Sequence, residues 1–322
     1  MNKKIGVAIV VAGLLAAPFV VYPIFLMKLL CFILFACAFN LLIGFTGLLS
    51  FGHAAFFGGG GYVAGYAIAS AGAPAGLGLI LGTAAGAVLG LLIGALAIRR
   101  QGIYFTMITL ALAQMVYFVA LQAPFTGGED GLQGVPRGAL LGIDLSHDLT
   151  LYYIVAAIVM AAFALIARIV HSPFGQVLRA IKENEARAIS LGYDVDRYKL
   201  LAFVLSAALA GLAGATKTLV LGFETLTDVH WSMSGLVVLM TLVGGMGTLA
   251  GPVIGAIVII VLENKLGEFG NLVADITTIE WFRSLGESVT IVTGLIFIVC
   301  VLAFRRGIVG EIVAGLKKAA AH

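Results

Sequence analysis

RAIKENEARAISLGYDVDRYK, residues 179–199, is the stretch on which the reading of this chain turns. Of the 19 basic and 16 acidic residues in the 322, nine fall within these 21 positions. The sequence on either side is apolar for about 20 residues at a time, the length needed to cross roughly 30 Å of hydrocarbon. One charged helical segment held between apolar spans is what a membrane protein needs to present a docking surface on one side of the bilayer.

Composition agrees with that reading. Hydrophobic residues make up 61% of the chain and charged residues 11%, with a mean hydropathy of +1.11, values that exclude an ordinary soluble domain. Apolar tracts near 5–23, 26–45, 53–71, 77–98, 103–123, 150–170, 200–222, 231–247, 248–264 and 285–304 predict an all-α, polytopic transmembrane bundle of about ten spans. The eighth and ninth are short. The first follows Asn2-Lys3-Lys4 like a signal peptide, but Ala16-Ala17-Pro18 is a poor cleavage site, so it is read as a retained span. The whole of 1–322 is expected to be one membrane domain, with a cytoplasmic segment at 171–199 and an exterior loop at 124–149.

Lysine and arginine accumulate on the cytoplasmic side. With both termini inside, 14 of the 19 basic residues, among them Arg99, Arg100, Arg179, Arg187, Arg305 and Arg306, fall at the cytoplasmic face. The five left outside are Lys28, Arg137, Lys217, Lys265 and Arg283. Losing either short span would put Arg305 and Arg306 outside, so the bias also supports counting both. Cys31, Cys37 and Cys300 lie in apolar tracts and read as free buried thiols. No zinc signature, nucleophile elbow or dinucleotide fingerprint occurs, and no GxxxxGK[ST]. Any nucleotide hydrolysis must therefore come from another chain.

Glycine, 42 residues in all, takes two forms. Gly78, Gly82, Gly86, Gly90 and Gly94 recur every fourth residue and form one bare helix face, a seam for close helix packing in lipid. Elsewhere glycine breaks helices. Gly44-Phe45-Thr46-Gly47 and Ser50-Phe51-Gly52-His53 interrupt an apolar tract, and in lipid such a break is tolerated only against protein or a wet cavity. Ser50 is placed to cap a helix restarting at Phe51, leaving free amides and a positive helix end for a carboxylate. Gly244-Gly245-Met246-Gly247-Thr248-Leu249-Ala250-Gly251-Pro252 is a second break in the other half of the chain. Paired breaks of this kind point to a transporter's substrate path, with re-entrant packing the alternative. His53 alone reads more simply as a satisfied hydrogen-bonding group than as a ligand.

Within the charged segment, Ser172-Pro173 predicts a helix start and Gly192 a stop. Phe174, Val177, Leu178, Ile181, Ala188 and Ile189 share one face at amphipathic spacing, with Arg179, Glu183 and Arg187 opposite. Glu185 falls inside the apolar stripe, which requires either a partner for its carboxylate or a break near Asn184. An interfacial helix lying on lipid is the alternative, but Glu183, Glu185, Asp194 and Asp196 would be repelled by anionic headgroups.

These residues resemble a known family. Asn40 to Tyr66, Gly175-Gln176-Val177-Leu178-Arg179-Ala180-Ile181, Glu183-Asn184-Glu185-Ala186, residues 202–214 and Gly244 to Thr248 are similar to LivM-type permease subunits of ABC importers for branched-chain and other hydrophobic amino acids. Urea and amide importers use similar permeases. The resemblance implies a multi-pass bacterial inner-membrane protein that works with a second homologous permease, two cytoplasmic ATPases holding ATP and Mg, and an extracytoplasmic amino-acid-binding protein. It implies no cofactor and no nucleic acid on this chain, and no enzymatic chemistry. Arg179, Lys182, Glu183, Glu185, Ala186, Arg187 and Gly192 become the expected ATPase-coupling surface. The importer pattern Glu-Ala-Ala, three residues, Gly is met by Ala186-Arg187-Ala188 with Gly192, or one position earlier from Glu185. Gly44, Phe45, Thr46, Gly47, Ser50, Phe51, Gly52, His53, Gly244, Gly245, Gly247 and Thr248 become the expected substrate path. Phe45, Phe51 or Phe56 would meet an apolar side chain. A self-sufficient secondary transporter or channel is the competing class, but it usually carries ionisable residues at mid-membrane. Here Lys217 and Glu263 sit near span ends.

Overall fold

The computed structural model describes residues 12–140, 142–277, 294, 295, 298 and 307–311. Most of the predicted last span 285–304, residues 5–11 of the predicted first span, and Arg305, Arg306, Lys317 and Lys318 lie outside them. The chain divides into two compact units, Met1–Gly235 and Leu236–His322.

The described residues are helical almost throughout. In order they form α1 (Pro23–Thr46), α2 (His53–Ala69), α3 (Ala75–Ala97), α4 (Ile103–Gln122), α5 (Asp148–His171), α6 (Pro173–Glu183), α7 (Glu185–Ser190), α8 (Val195–Leu221), α9 (Leu226–Val229), α10 (Trp231–Gly244) and α11 (Gly251–Thr277). One two-residue hairpin pairs β1 (Ala139–Leu140) with β2 (Ile143–Asp144) in antiparallel register. Five of these helices, α1, α3, α4, α5 and α8, are long and apolar enough to cross a membrane. The tract predicted at 53–71 forms α2, 17 residues long. That predicted at 231–247 forms α10, 14 residues long, and at 1.5 Å per residue it spans only about 21 Å. The all-α polytopic class is what the structure has, with five helices of spanning length among the described residues; the expected count of ten is not reached there.

In the first unit α1 is the central helix. It is apolar all round, and every residue from Leu30 to Leu42 is buried, as expected of a helix surrounded by others. α2, α3 and α8 pack around one another through glycine. A Cβ on Gly60 would stand 2.6 Å from Gly211 Cα, one on Gly82 2.6 Å from Gly60 O, and one on Gly86 2.6 Å from Ala207 O. The predicted seam is therefore real, and it is consumed inside the chain. Beside it, Leu79, Ile80, Ala84, Leu140, Ile158 and Leu212 line an open apolar furrow of about 520 Å³.

Candidate functional site

The charged segment is built by its caps. Ser172 Oγ accepts from Gly175 N–H at 3.3 Å while donating to Ile169 O at 2.6 Å, and Pro173 takes the first helical position. Gly175 lies so close to Ile169 O and Val170 O that no Cβ fits in this elbow. α6 then stops at Asn184, whose backbone is extended (φ −157°) and whose Oδ1 accepts from Arg187 N–H at 3.0 Å to start α7. Gly192, at φ +88°, closes α7: its N–H donates to Ile189 O at 2.9 Å and Tyr193 N–H donates to Ala188 O at 3.2 Å, the paired bonds of a Schellman end. Asp194 Oδ1 accepts from Arg197 N–H to open α8.

The break at Asn184 changes which side chains face inward. Ile181, Ala188 and Val195 are buried together with Val177 and Tyr198 against them, and Phe174 stacks on Tyr198 with ring centres 5.6 Å apart. The apolar stripe is thus covered by protein rather than lipid. Ile189, expected on that stripe, is instead 58% exposed and Leu191 69%, because α7 is a separate, rotated turn. Glu185 gets both the break and a partner: it pairs with Lys199 Nζ at 2.7 Å and accepts from Gln101 Nε2 at 3.0 Å. The partner is internal, so this carboxylate is already engaged. Arg179, Lys182, Glu183, Ala186, Arg187 and Gly192 are exposed.

The first glycine break lies directly against this segment. α1 ends at Thr46, with Gly47 left-handed at φ +78°. Lys182 Nζ donates to Gly44 O at 2.8 Å, a cation on the negative end of a helix. The Lys182 stem lies 3.2 Å from where a Cβ on Gly47 would be. Arg179 stands 5.3 Å over the Phe45 ring. Three contacts from one face of α6 therefore land on Gly44, Phe45 and Gly47, joining the two regions that were singled out separately in the sequence.

Beyond Gly47 the break is tied to α4. Phe51 N–H donates to Thr109 Oγ1 at 3.3 Å, and Thr106 Oγ1 donates to Leu49 O at 2.8 Å. The helix restarts at His53 with Gly52 as its cap residue, two positions later than expected from Ser50. Ser50 Oγ accepts instead from Gly52 N–H at 3.1 Å, a local turn that consumes the hydroxyl before the helix begins. Nor are the first amides free: Ala54 N–H donates to Ser234 Oγ at 2.9 Å, so this helix end is filled by protein. His53 is fully buried among Phe39, Phe56 and Phe203. Ser206 Oγ gives its proton to Ala38 O and so receives His53 Nε2–H at 2.8 Å. His53 ties α1, α2 and α8 together.

In the second unit, Gly244, Gly245, Gly247 and Thr248 form the turn between α10 and α11. Gly245 and Gly247 have φ of +120° and +75°. Thr248 Oγ1 donates to Gly245 O at 3.0 Å and accepts from Gly251 N–H at 2.9 Å, capping α11. Gly244, Gly251 and Gly255 let the two helices touch backbone to backbone.

The chain matches the family described as branched-chain amino acid transport system / permease component over residues 22–301. It belongs to that family. It is similar to the high-affinity branched-chain amino acid transport system permease protein LivM of Salmonella typhimurium and of Escherichia coli. Each is 26% identical over 74% of this chain and 62% of the relative. The ribose import permease protein RbsC of Bacillus subtilis is 27% identical over 61% of the chain and 58% of the relative. The match thus spans less than two thirds of the length of these relatives. No solved structure matches.

One group of residues escaped the sequence reading. Lys217, placed there at a span end facing out, is 4% exposed and pairs with Asp228 and, at 3.4 Å, with Glu224. The signal was available in Thr225-Leu226-Thr227-Asp228, a capping box that starts three residues after the left-handed Gly222 and folds two acids back onto α8.

Proposed function

We propose that this chain is the membrane-spanning permease subunit of an ATP-driven importer for branched-chain or other hydrophobic amino acids. Its partners are a second homologous permease, two cytoplasmic ATPases that hold ATP and Mg, and an extracytoplasmic binding protein. It sits in the bacterial inner membrane with both termini and the 171–199 segment inside. Substrate moves by alternating access past the glycine breaks, and no covalent chemistry occurs in this subunit.

The observation that carries this reading is the landing of α6 on the α1 break through Lys182, Arg179 and Gly47. The outer side of α6 and α7 offers Glu183, Arg187, Ile189 and Leu191 to a partner, a mixed apolar and charged surface suited to a protein groove. When the ATPase dimer closes, movement of this surface is delivered to the last turn of α1, where glycine lets the backbone yield. The LivM relatives support the substrate class. Reconstitution in vesicles tests the whole: uptake that needs the ATPases and ATP upholds it, and gradient-driven uptake by this chain alone overturns it.

A further inference from the structure

The connection between α8 and α9 holds a cluster with one cation and two carboxyls, all close to fully buried. Lys217 contacts Asp228 directly and stands 3.4 Å from Glu224. Asp228 Oδ2 also accepts from Thr225 N–H at 3.2 Å and from Thr225 Oγ1 at 2.7 Å. Lys217 Nζ, Thr225 N–H and Thr225 Oγ1 thus converge on one oxygen of Asp228. Glu224 is treated differently. It is 0% exposed, its Oε1 has no hydrogen-bond partner among the described residues, and its Oε2 lies 2.5 Å from Thr218 Oγ1. Thr218 Oγ1 is also 3.0 Å from Gly214 O, and a hydroxyl has one proton to give. A second buried carboxylate with one bare oxygen, sharing with Asp228 an ammonium 3.4 Å away, would be poorly compensated.

We infer that Glu224 carries a proton in this conformation, donating it from Oε2 to Thr218 Oγ1, and that this makes the cluster a proton-dependent latch on the 131–135 segment. With the proton in place Lys217 and Asp228 neutralise each other, Thr218 donates to Gly214 O, and Oε1 is a neutral carbonyl oxygen. The latch reaches the loop through the backbone: Leu132 N–H donates to Glu224 O and Glu224 N–H to Leu132 O, both at 2.9 Å, and Val135 N–H donates to Gly222 O at 2.8 Å. The carboxyl occupies space left by Gly61, where a Cβ would stand 2.6 Å from Glu224 Cδ. Other titratable groups within electrostatic reach are Cys31 on α1 and Tyr62 on α2. Tyr62 in turn neighbours Tyr117 on α4, which packs on His230. Cys31, Tyr62 and Tyr117 carry no positive charge in either protonation state, and His230 stands behind Tyr117 rather than against Glu224.

Burial pushes the Glu224 carboxyl up from 4.5 to about 8, against the pull of Lys217. A raised acid binds its proton more tightly when latched than when released. The latch is therefore complete below the ordinary value and is lost progressively as pH rises towards about 8. Loss of the proton to solvent leaves two buried carboxylates on one ammonium, and Glu224 leaves together with the 131–135 segment.

The test uses the whole chain in lipid nanodiscs, with hydrogen exchange of the 131–135 and 222–229 amides corrected for intrinsic rates from about pH 6 to about pH 9. Protection should fall about ten-fold per pH unit up to about pH 8 and then level off. In Glu224→Gln, which keeps a neutral side chain, it should stay flat. Infrared spectra at neutral pH should show a protonated-carboxyl stretch that Glu224→Gln removes. Wild-type protection independent of pH, or a wild-type spectrum without that band, overturns the proposal. If Glu224→Gln does not fold, the wild-type band titration decides: disappearance through about pH 8 upholds the latch and persistence beyond it does not. Neither readout depends on transport, so failure here and failure of the importer reading are separable.

Discussion

Lys182 and Glu185 lie three residues apart, and the structure gives them opposite duties. Lys182 crosses from α6 to the end of α1, and its bond to Gly44 O is charge-assisted, worth about 1.5–3 kcal/mol. Lys182→Met should lower ATP-driven uptake by about ten-fold while the assembled complex still hydrolyses ATP, and Lys182→Arg should restore part of it. Equal loss of uptake and hydrolysis would make Lys182 a packing residue only. Glu185 turns inward to Lys199, which is 3% exposed. Removing one partner of a buried pair costs on the order of 3 kcal/mol, so Glu185→Ala should lower the melting temperature of the purified chain by several degrees. The double variant Glu185→Ala/Lys199→Met should recover most of that, whereas a docking role alone would leave the melt unchanged. The sequence marked Glu185 as misplaced on an apolar stripe, but the cure, a lysine 14 positions on, depends on a turn at Gly192 that periodicity does not encode.

Helix identity was legible wherever apolar tracts were long, and packing mode wherever glycine recurred every fourth residue. Helix ends were legible where a cap is local: Ser172, Asn184 and Gly192 all act within three residues of themselves. Ser50 misled because its hydroxyl serves a turn, and the real donors and acceptors for that break, Thr106 and Thr109, are more than 50 residues away. The seam makes its own prediction. On Gly86 a Cβ meets Ala207 O at 2.6 Å, and on Gly235, also helical, it meets nothing within 4 Å. Gly235→Ala should gain up to about 1 kcal/mol of helix propensity. Gly86→Ala should cost about 1–3 kcal/mol through overpacking. Thermal melts of the two variants side by side would show the opposite signs, and equal shifts would remove the seam as a close contact.

Across the molecule, the greasy composition made the membrane class plain, whereas the buried cluster of Lys217, Glu224 and Asp228 was hidden because its charges look like loop residues. The proposed substrate class rests on family membership and the LivM relatives, and competition tests it. ATP-driven uptake should be inhibited at least about ten-fold more effectively by leucine, isoleucine or valine than by ribose at equal concentration, a gap of about 1.4 kcal/mol; the reverse order would move the chain towards the sugar permeases. The glycine crossing of α2, α3 and α8 also bears on how such a protein can change over generations. Where two side chains meet, a loss on one helix can be repaired by a complementary change on the other. Where Gly60, Gly82, Gly86 and Gly211 meet, the nearest atom facing each is main chain, which no second substitution can remove. Damage at this crossing is irreparable from across the interface, so drift in these helices is confined to their outer faces.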